Sequence, residues 1–290
     1  MKQSFEMVHL KSGEAALRWI EGGETFHPGI GAGAESRCLI VEQLQLSQRF
    51  AEVSTLPLKI WDVGLGAGGN AAAILQCWQE VGLRSLELVS FDCSLDPLRL
   101  AVKAHQQSEE YFPWLKKFPT GRLIETGKTE YVKNKSKARW TFCLGDFTDQ
   151  MKSEAQPELM RPDFIIYDFF SPARDYLLWT LDHWKNVRRW LSESHCTWIV
   201  FHSRSTALRA TLLLAGFFVG RGVAIGDKEE TTLACTQLLP QFPALSSEWL
   251  EKVQRSSASE PFVGPIFQPG KISSSWMFEL RRHPQFNSRL

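Results

Sequence analysis

The sequence predicts a doubly wound α/β fold, a mainly parallel sheet with an antiparallel hairpin towards the C-terminus. Three observations carry this. Short apolar runs alternate with helical runs between residues 58 and 216, the pattern of consecutive βαβ units. A glycine-rich turn follows the first of these runs. After Gly216 the alternation stops, and two strand-like runs follow each other across a short polar turn.

The elements follow in order. LKIWDV at 58–63 reads as a short buried strand, followed by the glycine turn and the apolar helical run NAAAILQCW. LELVSF at 86–91 is a second strand. Behind it SLDPLRLAVKAHQQ reads as a helix with Pro97 in its first turn, where a missing amide costs nothing. RWTFCL at 139–144 and DFIIYD at 163–168 are further strands. Residues 175–192 have helical periodicity, with tryptophans on the apolar side. TWIVFHS at 197–203 is a strand, and ALRATLLLAGF a helix ending at Gly216. FFVGRGVAI and ETTLACTQLL then form a hairpin across GDKE. A Rossmann-like parallel sheet closed by such a hairpin is the pattern of class I methyltransferases, and is less expected of a dinucleotide-binding dehydrogenase.

Three segments are expected. Residues 1–50 form an N-terminal extension with a small strand pair and a helix, packed on the core. Residues 51–239 form the cofactor-binding core. Residues 240–290, rich in proline and serine, read as an extended addition that packs back through Trp276, Met277 and Phe278.

A chain of 290 residues can bury a substantial core, and 43% hydrophobic with 22% charged residues is ordinary for a globular protein. A formal net charge of +1 gives no reason to expect a nucleic-acid or membrane partner, although a local basic patch can sit on a neutral protein. Cys38, Cys77, Cys93, Cys143, Cys196 and Cys235 are widely spaced, with no CxxC and no histidine at zinc-ligand spacing. No metal and no disulfide framework is expected. The apolar stretches fall short of the roughly 20 residues of a membrane span. MKQSFEMVHLKSGE lacks the apolar centre of a secretion signal, and a reducing cytoplasm is the expected location.

DVGLGAGGN at 62–70 is the main chemical signal. Glycines at a strand end let the backbone approach a ligand, and the next helix offers free amides. Gly64, Gly66 and Gly69 spell GxGxxG, which alone is weak evidence; a turn serving only chain geometry is the alternative. Asp62, before the first glycine, suits the amino-acid end of S-adenosylmethionine, where dinucleotide sites usually carry an apolar residue. Asp92 ends the second strand and could accept both ribose hydroxyls, or else cap the next helix. Asp146 follows the third strand, placed to meet the adenine amino group or to serve a turn. Asp168 follows the fourth, beside Phe169, Phe170, Ser171 and Pro172. A carboxylate among aromatic residues suits an amine nucleophile, whose proton it can accept; a buried Asp bonded to its own loop is the alternative.

YDFFSPARDYLLW at 167–179 resembles the DGFSPA-containing loop of the methyltransferase domain of the MnmC family, which acts in wobble-uridine modification of tRNA. Three further segments are similar to that family's motifs: FHPGIGAGAESRCLIVE at 26–42, SRSTALRATLLLAGFFV at 203–219 and GDKEETTLA at 226–234. The likeness runs in order from about residue 14 to 238. It implies methyl transfer from S-adenosyl-L-methionine to the primary amine of 5-aminomethyl-2-thiouridine in tRNA. Carried over, Gly64, Gly66 and Gly68 line the methionine part, Asp92 holds the ribose, Asp146 lies near adenine and Asp168 approaches the amine. Glu35 and Ser36 support the mouth of the cofactor pocket. The family's Gly-Leu-Asn is Gly68–Gly69–Asn70 here, Asp227 stands where its hairpin turn carries arginine, and nothing matches its oxidase domain.

Residues 116–139 carry Lys116, Lys117, Arg122, Lys128, Lys133, Lys135, Lys137 and Arg139 against Glu125 and Glu130. Such a run can contact phosphates, with Arg188 and Arg189 adding to it, or form a solvated loop. Exposed aromatics could stack on single-stranded bases. Three other readings remain open from residues alone: methylation of a small-molecule amine, a silent binding protein retaining the fold, and a dinucleotide-dependent oxidoreductase.

Overall fold

The computed structural model describes residues 4–26, 32–118, 120–153, 161–225 and 229–287. The chain forms two compact units.

The first unit comprises residues 1–147, 165–168 and 225–229. It opens with strands β1 (Phe5–His9), β2 (Ala15–Trp19) and β3 (Glu24–Thr25), an antiparallel sheet in that order. A third strand therefore joins the expected pair. Helix α1 (Ala32–Ser36) runs into a π-helical turn (Arg37–Glu42) and then α2 (Leu46–Ala51).

The central strands are β4 (Leu58–Val63), β5 (Leu86–Asp92), β6 (Lys128–Lys133), β7 (Ser136–Leu144) and β8 (Phe164–Tyr167). Their order is β8-β4-β5-β7-β6. The β4–β5 and β5–β7 pairs are parallel and β6–β7 is antiparallel. Helices α3 (Gly69–Val81) and α4 (Asp96–Gln107) follow β4 and β5, each a βα unit at the predicted place. β4 is buried at Ile60, Trp61 and Val63 on both faces, which is why it reads as a continuous apolar run. Trp61, Phe91, Phe147 and Tyr167 meet edge to face in the core. Burying each such ring contributes roughly 1.5–3 kcal/mol.

The basic run is mostly ordered structure. It contains α5 (Trp114–Lys117), α6 (Gly121–Thr126), β6 and the start of β7. KTEYVK alternates exposed and partly buried residues, a period-2 pattern that its lysines disguise. Half of the run's cations are engaged locally. Lys116 meets Glu109, and Lys137 and Arg139 share Glu130. Lys133 caps α3 through the carbonyls of Gln79 and Glu80.

The second unit comprises residues 148–164, 169–224 and 230–290. Helix α7 (Phe147–Lys152) leads in. The helix expected over 175–192 is broken into a 3-10 turn (Tyr176–Trp179) and α8 (Leu181–Trp190). Thr180 causes the break: it is extended, and its hydroxyl accepts from His183 N at 3.3 Å, an N-cap inside the apolar periodicity. Strands β9 (Trp198–Phe201), β10 (Phe218–Gly222) and β11 (Thr231–Cys235) lie in the order β10-β11-β9, both pairs antiparallel. The hairpin is thus present, while its turn at 226–228 lies outside the described residues. Helix α9 (Thr206–Leu214) precedes it and ends at Gly216, φ +88°.

The C-terminal residues are not extended throughout. They form α10 (Glu248–Arg255), α11 (Ser274–Arg281) and α12 (Pro284–Asn287). Trp249, Leu250, Val253, Met277 and Leu280 are buried at helical spacing, which the prolines between the helices obscured. Phe262 N donates to Thr211 Oγ1 and its carbonyl accepts from Leu181 N, each at 2.8 Å.

Candidate functional site

β4 ends at Val63, and the chain turns through Gly64, Leu65, Gly66, Ala67 and Gly68 into α3. Gly64, Gly66 and Gly68 have φ of +99°, +52° and +80°, a region strained for residues with a Cβ. At Gly66 an added Cβ would also stand 3.3 Å from Phe26 Cε2. The literal motif misassigns its last glycine, because Gly69 is the first residue of α3 and Gly68 makes the turn. Gly68 N donates to Leu65 O at 2.8 Å, and Trp114 Nε1 donates to Ala67 O at 3.2 Å. The loop is therefore held open by its own turn and by an indole from α5.

Asp92 sits at the end of β5. Its Oδ2 accepts from Gly66 N at 3.1 Å and its Oδ1 from Ser94 N at 3.3 Å. Burial pushes this carboxyl above the ordinary range, while the Gly66 and Ser94 amides pull it back. It does not cap α4, whose N-cap position is Leu95. Gly145 N donates to the Asp92 carbonyl at 3.0 Å, which hangs the turn carrying exposed Asp146 on the end of β5.

Asp62 lies deeper. It is fully buried, and its Oδ2 accepts from Ser90 Oγ at 2.8 Å. Trp140 Nε1 in turn donates to Ser90 Oγ at 2.9 Å, so a polar seam crosses β4, β5 and β7.

Asp168 follows β8, its amide donating to Val63 O at 2.9 Å. Its Oδ2 accepts from Asn70 Nδ2 at 2.8 Å, and Asn70 Oδ1 accepts from Ser36 Oγ at 2.6 Å. Glu35, Ser36 and Asn70 are all buried. The structure thus joins α1, the start of α3 and the end of β8 beside the glycine loop. Residues 27–31 of the segment beginning at Phe26 lie outside the described residues.

The chain continues into Phe169, Phe170, Ser171 and Pro172, which belong to the second unit. There the Ser171 carbonyl accepts from Arg174 N and Asp175 N at 2.8 and 3.1 Å, and the Phe170 carbonyl from Trp179 Nε1 at 3.0 Å. These bonds define a closed loop. Asn70 and Trp114 are site residues that the motif reading did not single out. Asn70 was visible only as the third member of the Gly-Gly-Asn triplet, and Trp114 carried no signal. Among the described residues no group of three His, Cys, Asp or Glu could hold a metal ion.

Residues 109–237 match a family described as S-adenosyl-L-methionine-dependent methyltransferase. The tRNA 5-methylaminomethyl-2-thiouridine biosynthesis bifunctional protein MnmC of Vibrio cholerae serotype O1 is 22% identical over 262 residues, 82% of this chain and 39% of that protein. The chain is similar to S-adenosyl-L-methionine-dependent methyltransferases. The protein of the same name from Aeromonas hydrophila is 22% identical over 261 residues, 87% of this chain and 36% of that protein. The crystal structure of MNMC2 from Aquifex aeolicus shares its fold with a TM-score of 0.68 at 23% identity, covering 98% of this chain and 85% of that chain. The fold is accordingly that of class I methyltransferases, mixed α/β with a large, mainly parallel central sheet. The chain is similar to MnmC but spans about two fifths of the length of these curated relatives. No described helix is long and apolar enough to cross a membrane.

Proposed function

We propose that this protein is an S-adenosyl-L-methionine-dependent methyltransferase that converts 5-aminomethyl-2-thiouridine to 5-methylaminomethyl-2-thiouridine in tRNA. The observation that carries the proposal is the Asp168 carboxylate, held by Asn70 at the start of the helix that the glycine loop opens. When bound, S-adenosyl-L-methionine supplies an electrophilic methyl group. The left-handed glycines and the Asp92 carboxylate bonded to Gly66 N fit it: Gly64, Gly66 and Gly68 would leave room for the methionine part, Asp92 would take the ribose hydroxyls and Asp146 would serve adenine. Glu35 and Ser36 support the mouth from α1. Asp62 acts indirectly, through the seam that aligns the ends of β4 and β5.

The acceptor amine must attack as its neutral form. Asp168 orients the amine and accepts the proton released as nitrogen gains the methyl group. No covalent enzyme intermediate is needed, and alignment supplies most of the acceleration. The tRNA biosynthesis named for the MnmC relatives supports tRNA as the partner, and Lys117, Arg122, Lys128 and Lys135 of the basic run are candidates for phosphate contact. A bacterial cytoplasm suits that substrate.

The test is nucleoside mass spectrometry of tRNA bearing 5-aminomethyl-2-thiouridine after incubation with protein and S-adenosyl-L-methionine. Formation of the methylated nucleoside supports the proposal, with loss of rate as salt rises. Unmodified tRNA alongside methylation of free primary amines would move the acceptor to small molecules.

A further inference from the structure

Ser36 and Asn70 are distant from Asp168 in sequence, yet the three side chains form one line. Ser36 Oγ donates to Asn70 Oδ1 at 2.6 Å, and Asn70 Nδ2 donates to Asp168 Oδ2 at 2.8 Å. Ser36 is completely buried and Asn70 nearly so, at 3% exposure. An ionised carboxylate can only accept, so the amide must turn its NH2 towards Asp168 and its oxygen away. The Ser36 hydroxyl then meets that oxygen and fixes the flip. The direction of every bond follows from the carboxylate being charged.

We propose that Ser36 and Asn70 are positioning residues, a buried relay that orients the Asp168 carboxylate towards the acceptor and favours its ionised form. This rests on the amine-methyltransferase reading given above. Asn70 is the second residue of α3, immediately after the glycine turn, so the same residue couples the cofactor loop to the proton acceptor. A lysine or arginine in its place would neutralise Asp168, whereas a neutral amide holds it without removing its charge. Glu35 on α1, Asp62 on β4 and Asp92 on β5 are carboxylates on the neighbouring elements.

The full chain labelled with 13C-aspartate provides a readout that needs no acceptor. The Asp168 carboxyl resonance is assigned by its loss in Asp168→Asn and followed against pH. In Asn70→Leu its titration midpoint should rise by about one pH unit, because a donor to the charged form is gone. Ser36→Ala should raise it less, since Asn70 remains but can flip. On tRNA bearing 5-aminomethyl-2-thiouridine, kcat should fall at least about tenfold in Asn70→Leu, and the acidic limb of its pH profile should move upwards with the resonance. A midpoint unchanged in both variants overturns the relay whatever the acceptor is. If Asn70→Leu does not fold, an unchanged midpoint in Ser36→Ala overturns it alone. Wild-type protein that leaves the tRNA unmethylated, while the midpoint still moves, overturns the acceptor and leaves the relay standing.

Discussion

The two units bury charge in opposite ways. In the first, Asp62, Asp92 and Asp168 are held by a hydroxyl, by backbone amides and by a carboxamide respectively. In the second, Arg209 is 1% exposed and is held by Glu230 at 2.7 Å, with Thr232 Oγ1 at 3.0 Å and the Thr231 carbonyl at 2.7 Å. Burial pushes the Arg209 guanidinium below its ordinary range, and Glu230 opposes this. A paired charge is spent on the fold. The hydroxyl, amide and carboxamide donors of the first unit carry no charge of their own. The comparison separates residues whose loss should unfold the protein from those whose loss should silence it.

The largest expected effect lies in the second unit. Arg209→Leu leaves Glu230 to Arg221 at 3.5 Å and removes two further bonds, and should cost about 3–5 kcal/mol of stability by chemical denaturation. A cost below about 1 kcal/mol would show that the pair does not hold this unit together. Gly66→Ala should sharpen the contrast. It forces a Cβ into φ +52° against Phe26, should cost about 1–3 kcal/mol and should weaken S-adenosyl-L-methionine binding at least tenfold. Trp114→Phe removes only the donor to the Ala67 carbonyl, and a loss of about threefold to tenfold in that affinity is expected with little change in stability.

A smaller effect concerns pH. Burial lowers His283 in the second unit from 6.5 to about 4. Between those values the unfolded chain binds more protons than the folded one, so this contribution is complete above pH 6.5 and is lost as pH falls towards 4. The unfolding free energy from denaturant titrations should fall from pH 7 to pH 5 by an amount of order 1 kcal/mol, and His283→Phe should flatten the slope. An unchanged slope in that variant would assign the pH dependence to other groups.

Much of this was legible in the chain. Strands such as LKIWDV and LELVSF carry their burial in composition, and the glycine turn announces itself because few other residues tolerate its φ. What was not legible depends on contacts remote in sequence. Asn70 is an ordinary helix residue until Ser36 and Asp168, 34 and 98 residues away, are brought to it. Asp62 occupies the motif position expected for a ligand, but cross-strand pairing with Ser90 and the Trp140 indole decides where its carboxylate goes. In the tail, composition hid the helices: the apolar spacing of Trp249, Leu250 and Val253 was present, but prolines and serines dominated the segment.

The most direct test of the central claim is calorimetry of S-adenosyl-L-methionine binding to wild type and Asp92→Asn across pH, in buffers of different ionisation enthalpy. Burial raises the Asp92 carboxyl, and ribose hydroxyls donating to it favour the charged form. Binding should therefore release a proton and tighten as pH rises through that raised value, then level off, while Asp92→Asn binds at least tenfold more weakly with no such proton release. Equal affinity in the two proteins, with the same pH dependence, would contradict the assignment of this loop as the methyl-donor site.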